Sequence, residues 1–438
     1  MDTARIETVL KCPTKRTEGL LFLRLMILFK EFELDNGLRV IVHEDPTVQI
    51  AVMNILYDVG SRDEHPDKTG FAHLFEHLMF GGSKNIPNYD EPLQRVGGEN
   101  NAFTNTDITN YYLTLPASNI ETGFWLESDR MMSLSFDPKV LEVQRKVVIE
   151  EFKQRYLNQP YGDVWLKLRP LAYQVHPYQW ATIGKDVSHI ENATMDDVKE
   201  FFFKYYVPDN AILVVAGNVT VDQVRRLAEK WFGPISPAKP NRILATEPRQ
   251  QGKRSLDVQA NVPANAFYKA WHMPGRFDKD YYALDLLSDL LGRGQSSRLY
   301  QKLVKEKEIF TSISSFLMGT IDPGLVVVSG RLNDGVNLEA AEHEVDKVIG
   351  ELRDNHLSEG ELNKVKNQAE SILEFGEVEV INRAMNLAFA KLSGDANLVN
   401  TEARKIEEVT TSDINRVSNE VMQEANSSVL YYHSLKNK

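Results

Sequence analysis

The chain has 438 residues, and its 50 Lys and Arg against 62 Asp and Glu give a formal net charge of −12 at pH 7. Hydrophobic residues make up 42% and charged residues 26%, which excludes both a disordered polar chain and a long coiled coil. The length is enough for about two to three domains with buried cores. The acidic excess argues against a nucleic-acid binder, because phosphate contacts need a basic surface.

Cys12 is the only cysteine, so the chain cannot form an internal disulfide bond. This cysteine usage is compatible with a reducing compartment, and we expect a cytoplasmic location. No apolar run approaches the ~18–20 residues needed to span a bilayer. Residues 1–28 precede the first clear strand pattern, and we expect them to form an N-terminal extension outside the fold.

From Phe29 onwards, strand-like and helical segments follow one another. Residues 32–34 and 38–42 flank Asp35-Asn36-Gly37 and predict a β-hairpin with a type I′ turn. Residues 50–59 predict a third strand, and residues 69–80 predict a helix that ends at two glycines. The other predicted elements up to residue 232 are a short helix ending at Gly97-Gly98, strands near 100–104, 111–115 and 211–216, and helices near 118–133, 138–156, 195–206 and 221–232.

Residues 237–254 contain prolines and charged residues without periodicity, which is typical of a linker. Beyond this segment, the order of strands and helices seen before it returns. The sequence therefore predicts a first half over residues 29–236 and a second half over residues 255–438.

An offset of 216 residues brings the ends of the two halves into register. Thr194 then aligns with Thr410, and Asn210 aligns with Asn426 just ahead of the last strand of each half. Coincidence among helix-capping residues is the alternative. The shared order of helix and strand favours a two-copy duplication of one large α+β unit.

Two of the ten histidines lie four residues apart on the predicted helix over 69–80, in the run His73-Leu74-Phe75-Glu76-His77. Positions i and i+4 of a helix differ in direction by only ~40°, so both imidazoles emerge from one face. Two imidazoles held in this way form a clamp for Zn²⁺, and Glu76 beside them is placed to take a proton from water. The alternative is a solvated helix face, but the flanking residues are apolar and would leave the polar trio without partners.

A catalytic zinc site usually has three protein ligands and one open position, so a third ligand is needed. The adjacent Glu150 and Glu151 end an apolar stretch on a second predicted helix and offer a carboxylate. Chemistry alone does not choose between these two glutamates. Either of them could also belong to an ordinary solvated helix end.

The run from Gly70 to Ser83, with its H-x-x-E-H order, resembles the pitrilysin-type (inverted-motif, M16-like) zinc metallopeptidases. This family includes insulin-degrading enzyme and the mitochondrial processing peptidase, and the chain is most similar to its short bacterial members. The resemblance implies an α+β fold of two homologous α/β-sandwich halves. Each half would be an antiparallel sheet covered by helices, and the two would face each other across a cleft.

The resemblance also assigns roles to individual residues. It implies that Glu76 is the general base, and that the distal metal ligand is the second acid of the downstream Glu-Glu pair. The implied zinc ligands are His73, His77 and Glu151, with Glu150 and Tyr111 as residues that could support them.

The segment from Gly97 to Thr104 is a second match to the family, in which it forms an edge strand of the active site. A peptide substrate adds to such a strand by main-chain hydrogen bonds. The resemblance therefore implies that Asn101, Ala102 and Phe103 bind substrate. Without the resemblance, the segment predicts an ordinary hairpin.

The second half departs from the active family pattern. It has no H-x-x-E-H run, so we expect one metal site. Active relatives usually carry an arginine and a tyrosine seven positions apart, where this chain has Val304 and Thr311. Neither side chain offers a guanidinium or a phenol. We therefore expect a dimer, with a related subunit that carries the arginine and tyrosine.

Taken together, the motif and the resemblance predict a zinc-dependent metalloendopeptidase that hydrolyses peptides or unfolded polypeptides in an enclosed chamber. The alternative prediction is a non-catalytic structural or peptide-binding subunit of the same fold.

Overall fold

The structure is a computed structural model that describes residues 26–354 and 357–435. Most of the expected N-terminal extension, residues 1–25, lies outside these ranges. Ile27, a residue of the expected extension, is buried, and its backbone N–H donates to Asn400 Oδ1 at 2.8 Å. Ile27 is therefore part of the packed fold.

The first half contains six strands and eight helices among its described residues. Its strands are β1 (Lys30–Glu33), β2 (Arg39–Glu44), β3 (Ile50–Tyr57), β4 (Glu99–Thr104), β5 (Thr109–Pro116) and β6 (Ala211–Gly217). Its helices are α1 (Phe71–Leu78), α2 (Asp90–Arg95), α3 (Ile120–Met132), α4 (Pro138–Phe152), α5 (Val164–Ala172), α6 (Val187–Glu191), α7 (Met195–Tyr205) and α8 (Val221–Trp231).

The second half follows after residues 232–253, which carry no helix or strand. Its strands are β7 (Arg254–Ala260), β8 (Ala266–Met273), β9 (Phe310–Met318), β10 (Gly324–Leu332) and β11 (Ser427–Ser434). Its helices are α9 (Tyr281–Gly292), α10 (Leu338–Arg353), α11 (Glu359–Gly376), α12 (Val380–Leu392), α13 (Leu398–Glu408) and α14 (Thr411–Val421).

Each half is built on one sheet, in the order β1-β2-β6-β3-β5-β4 in the first half and β7-β11-β8-β10-β9 in the second. Neighbouring strands pair antiparallel except β2 with β6 and β11 with β7, which are parallel. The predicted α+β fold of two homologous halves is confirmed. No helix in the described ranges is both long and apolar enough to cross a bilayer.

The 216-residue repeat is visible in individual contacts. Thr194 and Thr410 each begin a helix with a capping box, in which the side chain accepts from the amide three residues on. Asn210 donates to the carbonyls of Tyr205 and Asp58, and Asn426 donates to the equivalent carbonyl of Val421 and to His272. The same side chains therefore perform the same structural task in both halves.

Strand β6 explains how the halves are joined. It reads Ala-Ile-Leu-Val-Val-Ala-Gly and is buried throughout, as expected for a strand covered on both faces. Leu213 and Val215 pack against helices of their own half, whereas Ile212 and Val214 pack against α12 of the second half. Helix α12 of the second half thus covers one face of the sheet of the first half.

The exchange of helices is reciprocal. Leu168 and Ala172 of α5, from the first half, pack against Ala270 and Val327 in the sheet of the second half. Because each sheet is covered on one face by a helix of the other half, the two halves share their apolar cores.

The tips of two equivalent hairpins also meet between the halves. Asp107, in the β4–β5 turn, accepts a hydrogen bond from the backbone N–H of Ile321, in the β9–β10 turn, at 3.0 Å. The buried Arg62 pairs with Asp107 at 3.1 Å and with Asp322 at 3.4 Å. These contacts hold the ends of both hairpins together.

The turn between β1 and β2 differs from the prediction. A type I′ turn needs positive φ at both central residues, but Gly37 alone has positive φ in this turn, at 87°. Leu34 donates to the Leu38 carbonyl at 3.0 Å across a three-residue loop. The Asn36 side chain donates to the carbonyls of Phe232 and Ile235, so a tertiary contact holds this loop. The predicted hairpin is correct, but its turn type is wrong.

Leu387 on the exchanged helix α12 tests whether the halves unfold together. Its side chain is fully buried against the sheet of the first half. Leu387→Ala is expected to lower the free energy of unfolding by about 2–5 kcal/mol, because it leaves a cavity between the halves. Urea denaturation followed by circular dichroism should show one transition that shifts as a whole.

The matched control is Ile372→Ala on α11, whose side chain is 46% exposed. It is expected to change stability by about 0.5 kcal/mol or less. Two separate transitions, of which Leu387→Ala moves one alone, would contradict a shared core.

His43 provides a pH-dependent contact at the same interface. Its Nδ1 lies 2.7 Å from the Leu28 carbonyl, and its Nε2 lies 2.8 Å from Arg383 Nη1 on α12. Arg383 can donate to Nε2 only if the ring is neutral. Burial lowers the pKa of His43 from 6.5, and Arg383 lowers it further, while the Leu28 carbonyl and Asp45 raise it.

Because the folded-state pKa of His43 lies below the unfolded value, the unfolded chain binds more protons as the pH falls through about 6.5. We expect the contribution of His43 to stability to be lost on acidification from pH 7 to pH 5. Urea denaturation at both pH values should show a smaller loss in His43→Gln than in the wild type. A loss of equal size in both proteins would exclude this role, and His65→Gln at a largely exposed position serves as the control.

Candidate metal centre

Helix α1 carries both histidines, and its start is fixed by a buried carboxylate. Gly70 precedes the helix with φ of 88°, in the left-handed region that favours glycine. Glu64 accepts hydrogen bonds from the backbone N–H groups of Gly70 and Ala72, at 2.9 Å each. These amides have no partner inside the helix, so the carboxylate stabilises the first turn. Burial raises the pKa of Glu64 well above its usual value, while both amides lower it.

Aromatic packing fixes the rotation of α1 about its axis. The Phe75 ring stacks on Phe201 and Tyr206, with centroid distances of 4.9 and 5.3 Å. Tyr111 is fully buried, and its hydroxyl donates to the Phe75 carbonyl at 3.4 Å. The structure therefore places Tyr111 behind the helix, where it contacts the backbone.

His73, His77 and Glu151 are brought together from two helices. The Nε2 atoms of His73 and His77 each lie 3.6 Å from Oε2 of Glu151. The imidazole rings are nearly perpendicular, at 87°, with centroids 4.9 Å apart. One possible ligand atom from each residue lies within 4.8 Å of the other two, and the described part of the chain holds no second group of this kind.

This donor set fits a zinc ion. Two zinc bonds of about 2.1 Å at a tetrahedral angle would separate their donor atoms by about 3.4 Å, close to the observed distances. Three ligands leave a fourth position open, as in catalytic sites. Burial lowers the pKa of His73 to about 3, with further lowering by His77 and Arg155. The ring is therefore neutral at pH 7, as a metal ligand must be.

The two adjacent glutamates of α4 have different surroundings in the structure. Glu151 turns one oxygen towards the imidazoles, and its Oε1 pairs with Arg155 at 2.8 Å. Glu150 is exposed and accepts a hydrogen bond from Gln154 at 3.2 Å. Consecutive residues on a helix point about 100° apart, so only one of the two can face α1.

Glu76 lies next to the three candidate ligands. Burial raises the pKa of Glu76, whereas hydrogen bonds from Thr104 and the neighbouring His77 lower it. Thr104 is the last residue of β4, so Glu76 is held by the strand expected to receive substrate. The carboxylate therefore has both the position and the environment of a proton acceptor.

The candidate ligands and Glu76 line a cavity of about 490 Å³. Of the expected substrate-binding residues, Phe103 lines this cavity. Ala102 is half-buried, and its backbone N–H donates to the exposed Asn101 side chain at 2.8 Å. The rest of the wall consists of Thr104, Arg155, Tyr156, Thr182 and Ile183.

Strand β4 presents one free edge. It pairs antiparallel with β5 and occupies the end of the six-stranded sheet among the described residues. Unpaired backbone groups on an edge strand can accept a further strand. An extended peptide could therefore pair with the free edge of β4, beside the cavity.

Two charged residues of the site, Arg155 and Glu64, were not among the predicted site residues. Arg155 follows Glu151 by four residues, a spacing at which opposite charges on a helix usually meet, so that signal was present. Glu64 belongs to an irregular segment ahead of α1, where no periodic pattern indicates its role.

Val304 and Thr311 occupy the positions where active relatives usually carry an arginine and a tyrosine, and both make structural contacts in the second half. Val304 packs against the core of that half, and the Thr311 hydroxyl donates to the Arg331 carbonyl at 3.1 Å.

Comparison with known proteins decides the family. Residues 39–183 match the family described as insulinase (peptidase family M16), and residues 192–369 match the peptidase M16 inactive domain. The chain belongs to the M16 peptidase family. The second match agrees with the lack of an H-x-x-E-H run in the second half.

Two similar proteins named zinc proteases each align with most of the chain. The zinc protease PqqE of Helicobacter pylori is 31% identical over 91% of each chain. The uncharacterized zinc protease YmxG of Bacillus subtilis is 26% identical over 79% of this chain and 84% of its own.

Solved structures give the same result. A protease from Helicobacter pylori superposes with a TM-score of 0.88 at 30% identity, over 93% of this chain and 99% of its own. Pitrilysin matches with a TM-score of 0.74 at 17% identity, over 94% of this chain and 46% of its own. At that identity, pitrilysin supports the fold alone.

Paired substitutions distinguish the two glutamates of α4. Glu151→Gln is expected to weaken zinc binding by more than about 100-fold, because a neutral amide replaces the anionic oxygen that faces both imidazoles. Glu150→Gln should leave the affinity within about twofold. A competition titration against a chromogenic zinc chelator measures both. The opposite order would assign the ligand to Glu150.

Proposed function

We propose that the protein is a zinc-dependent metalloendopeptidase that hydrolyses peptides or unfolded polypeptides. The convergence of His73, His77 and Glu151 around one point, with Glu76 beside them, carries this proposal. Membership of the M16 family and the relatives named zinc proteases support it.

In this proposal, His73, His77 and Glu151 hold the ion. When bound, zinc supplies a Lewis acid that makes water more acidic and polarises the scissile carbonyl. Glu76 removes the proton of the attacking water and passes it to the leaving amine. The raised pKa of Glu76 suits this task, because a base with a pKa nearer to neutral can also return the proton.

Strand β4 would position the substrate. A peptide added to its free edge makes main-chain hydrogen bonds, which tolerate many sequences. An extended peptide is required for this addition, and folded proteins present few such segments. We therefore propose that the substrates are peptides and unfolded polypeptides, and that they are cleaved in an enclosed chamber.

The proposed active form is a dimer with a related subunit. Val304 and Thr311 cannot supply the arginine and tyrosine that active relatives usually have at these positions. A second subunit with that pair would complete the site. The cytoplasmic location expected from cysteine usage stays a prediction.

The second candidate is a non-catalytic structural or peptide-binding subunit. The match of residues 192–369 to a domain described as inactive favours it. The three converging ligand atoms and Glu76 in the first half argue against it, because a purely structural role does not require them.

Glu76→Gln tests the proposed reaction. The substitution keeps the size of the side chain but removes its ability to accept a proton. We expect kcat on peptide substrates to fall by about 10²–10⁴-fold, with zinc content unchanged. Peptide hydrolysis and metal analysis of the same preparation measure both quantities.

Glu142→Gln, at a half-exposed position on α4, is the control and should retain full activity. Activity that survives removal of zinc by a chelator would overturn the proposal. Hydrolysis that requires a related subunit with the arginine and tyrosine would support the heteromeric form. A zinc-loaded chain without activity in either setting would favour the non-catalytic alternative.

A further inference from the structure

A polar patch on the sheet of the second half has no role in the function proposed above. Arg331 on β10 lies directly across from Ser312 on β9, and Ser329 lies across from Ser314. Directly opposed residues share one face of a sheet, with Cβ atoms about 5 Å apart. One guanidinium and three hydroxyl groups are therefore gathered in one place.

This patch belongs to the sheet face that the first half covers. Side chains of a strand alternate between faces, so Arg331 and Ser329 lie on the same face as Leu325 and Val327. Those two residues pack in one apolar cluster with α5 of the first half. The patch continues this interface beyond its apolar part.

Arg331 is held in place without being neutralised. Its guanidinium lies over the Tyr161 ring, 5.1 Å from the centroid. Across residues 26–354 and 357–435, no carboxylate lies within ion-pair distance of this guanidinium. An exposed arginine on an aromatic ring keeps its forked donors available for an anionic group.

Tyr161 is itself fixed in a strained conformation. Its φ is 61°, in the left-handed region that non-glycine residues rarely adopt. Its hydroxyl donates to the Ala264 carbonyl at 2.6 Å and accepts from the Ala264 amide at 3.0 Å. Such strain persists where the surroundings hold it, and it concentrates at ligand sites.

The turn of Tyr161 lies against the wall of the metal cavity. A Cβ atom on Gly162 would lie 2.7 Å from the Arg155 carbonyl and 2.9 Å from the Tyr156 carbonyl. Arg155 and Tyr156 both line that cavity. Tyr161 follows Tyr156 by five residue steps, so their backbones lie at most about 18 Å apart, a distance that an extended peptide of about five to six residues spans.

We propose that Arg331, with Ser312, Ser314 and Ser329, binds a carboxylate of the peptide substrate several residues from the bond that is cleaved. An arginine fork pairs with a carboxylate through two charge-assisted hydrogen bonds, and serine hydroxyls donate further ones. This inference rests on the proposed peptidase function and names its substrate class: peptides with a free carboxylate several residues from the cleaved bond. The carboxylate can come from the peptide C-terminus or from an acidic side chain.

Three short fluorogenic peptides with otherwise identical sequences test this proposal. One ends in a free carboxylate, one ends in an amide, and one ends in an amide but carries a glutamate near its C-terminus. The wild type should cleave the free-acid peptide with a kcat/KM about 10- to 100-fold above that of the amide. The third peptide shows whether a side-chain carboxylate serves as well as the C-terminal one.

Arg331→Gln should remove this preference and leave cleavage of the amidated peptide and zinc content unchanged. Arg331→Lys should restore part of the preference, because it retains the charge without the fork. Arg404→Gln, at an exposed position on α13, is the matched control and should keep the full preference. Equal cleavage of all three peptides by the wild type would overturn the proposal, as would an equal loss on all three in Arg331→Gln.

Binding measurements separate this inference from the proposed activity. Fluorescence anisotropy with the zinc-loaded Glu76→Gln variant reports peptide affinity without turnover. Tighter binding of the free-acid peptide that depends on Arg331 supports the carboxylate site even if the wild type hydrolyses nothing. Hydrolysis without any carboxylate preference supports the peptidase function and rejects the site.

Discussion

The packing of α1 against α4 in one rotational setting is the constraint on which the site depends. His73 and His77 share a face of α1 because they lie four residues apart, but that face must meet Glu151 on another helix. Glu64 fixes the start of α1, and Tyr111 contacts its backbone from behind. These buried contacts hold three partly buried polar side chains together, at a place where unpaired polar groups would be costly.

The helix that carries Glu151 is also part of the connection between the halves. Helix α4 continues through a π-helical turn at Lys153–Leu157 into the segment of Tyr161 and then into α5, which packs on the sheet of the second half. The candidate metal centre and the exchanged helix are therefore successive parts of one chain segment. A π-helical turn at such a place is typical of functional sites.

Individual residues show how far the sequence could be interpreted. The spacing of His73, Glu76 and His77 was sufficient to predict a shared helix face, because helix geometry is local. The alignment of Thr194 with Thr410 predicted the duplication, since both residues cap helices by the same local contact. Glu151 could be preferred over Glu150 only by resemblance, because the direction of a helix face depends on its neighbour. The type I′ turn was wrong because Asn36 bonds to Phe232 and Ile235, some 200 residues away.

The sequence by itself determined the order of the elements and the pair of imidazoles, because each depends on neighbours within a few turns of chain. It also determined the two-copy architecture, because the same local capping residues recur 216 residues apart. Tertiary structure alone decided which glutamate faces those imidazoles and which helix covers which sheet. The apolar run of β6 required a cover on both faces, but α12 and any other apolar helix satisfy that pattern equally well. Hydrophobic burial is non-directional, so the partner is selected only when the whole chain packs.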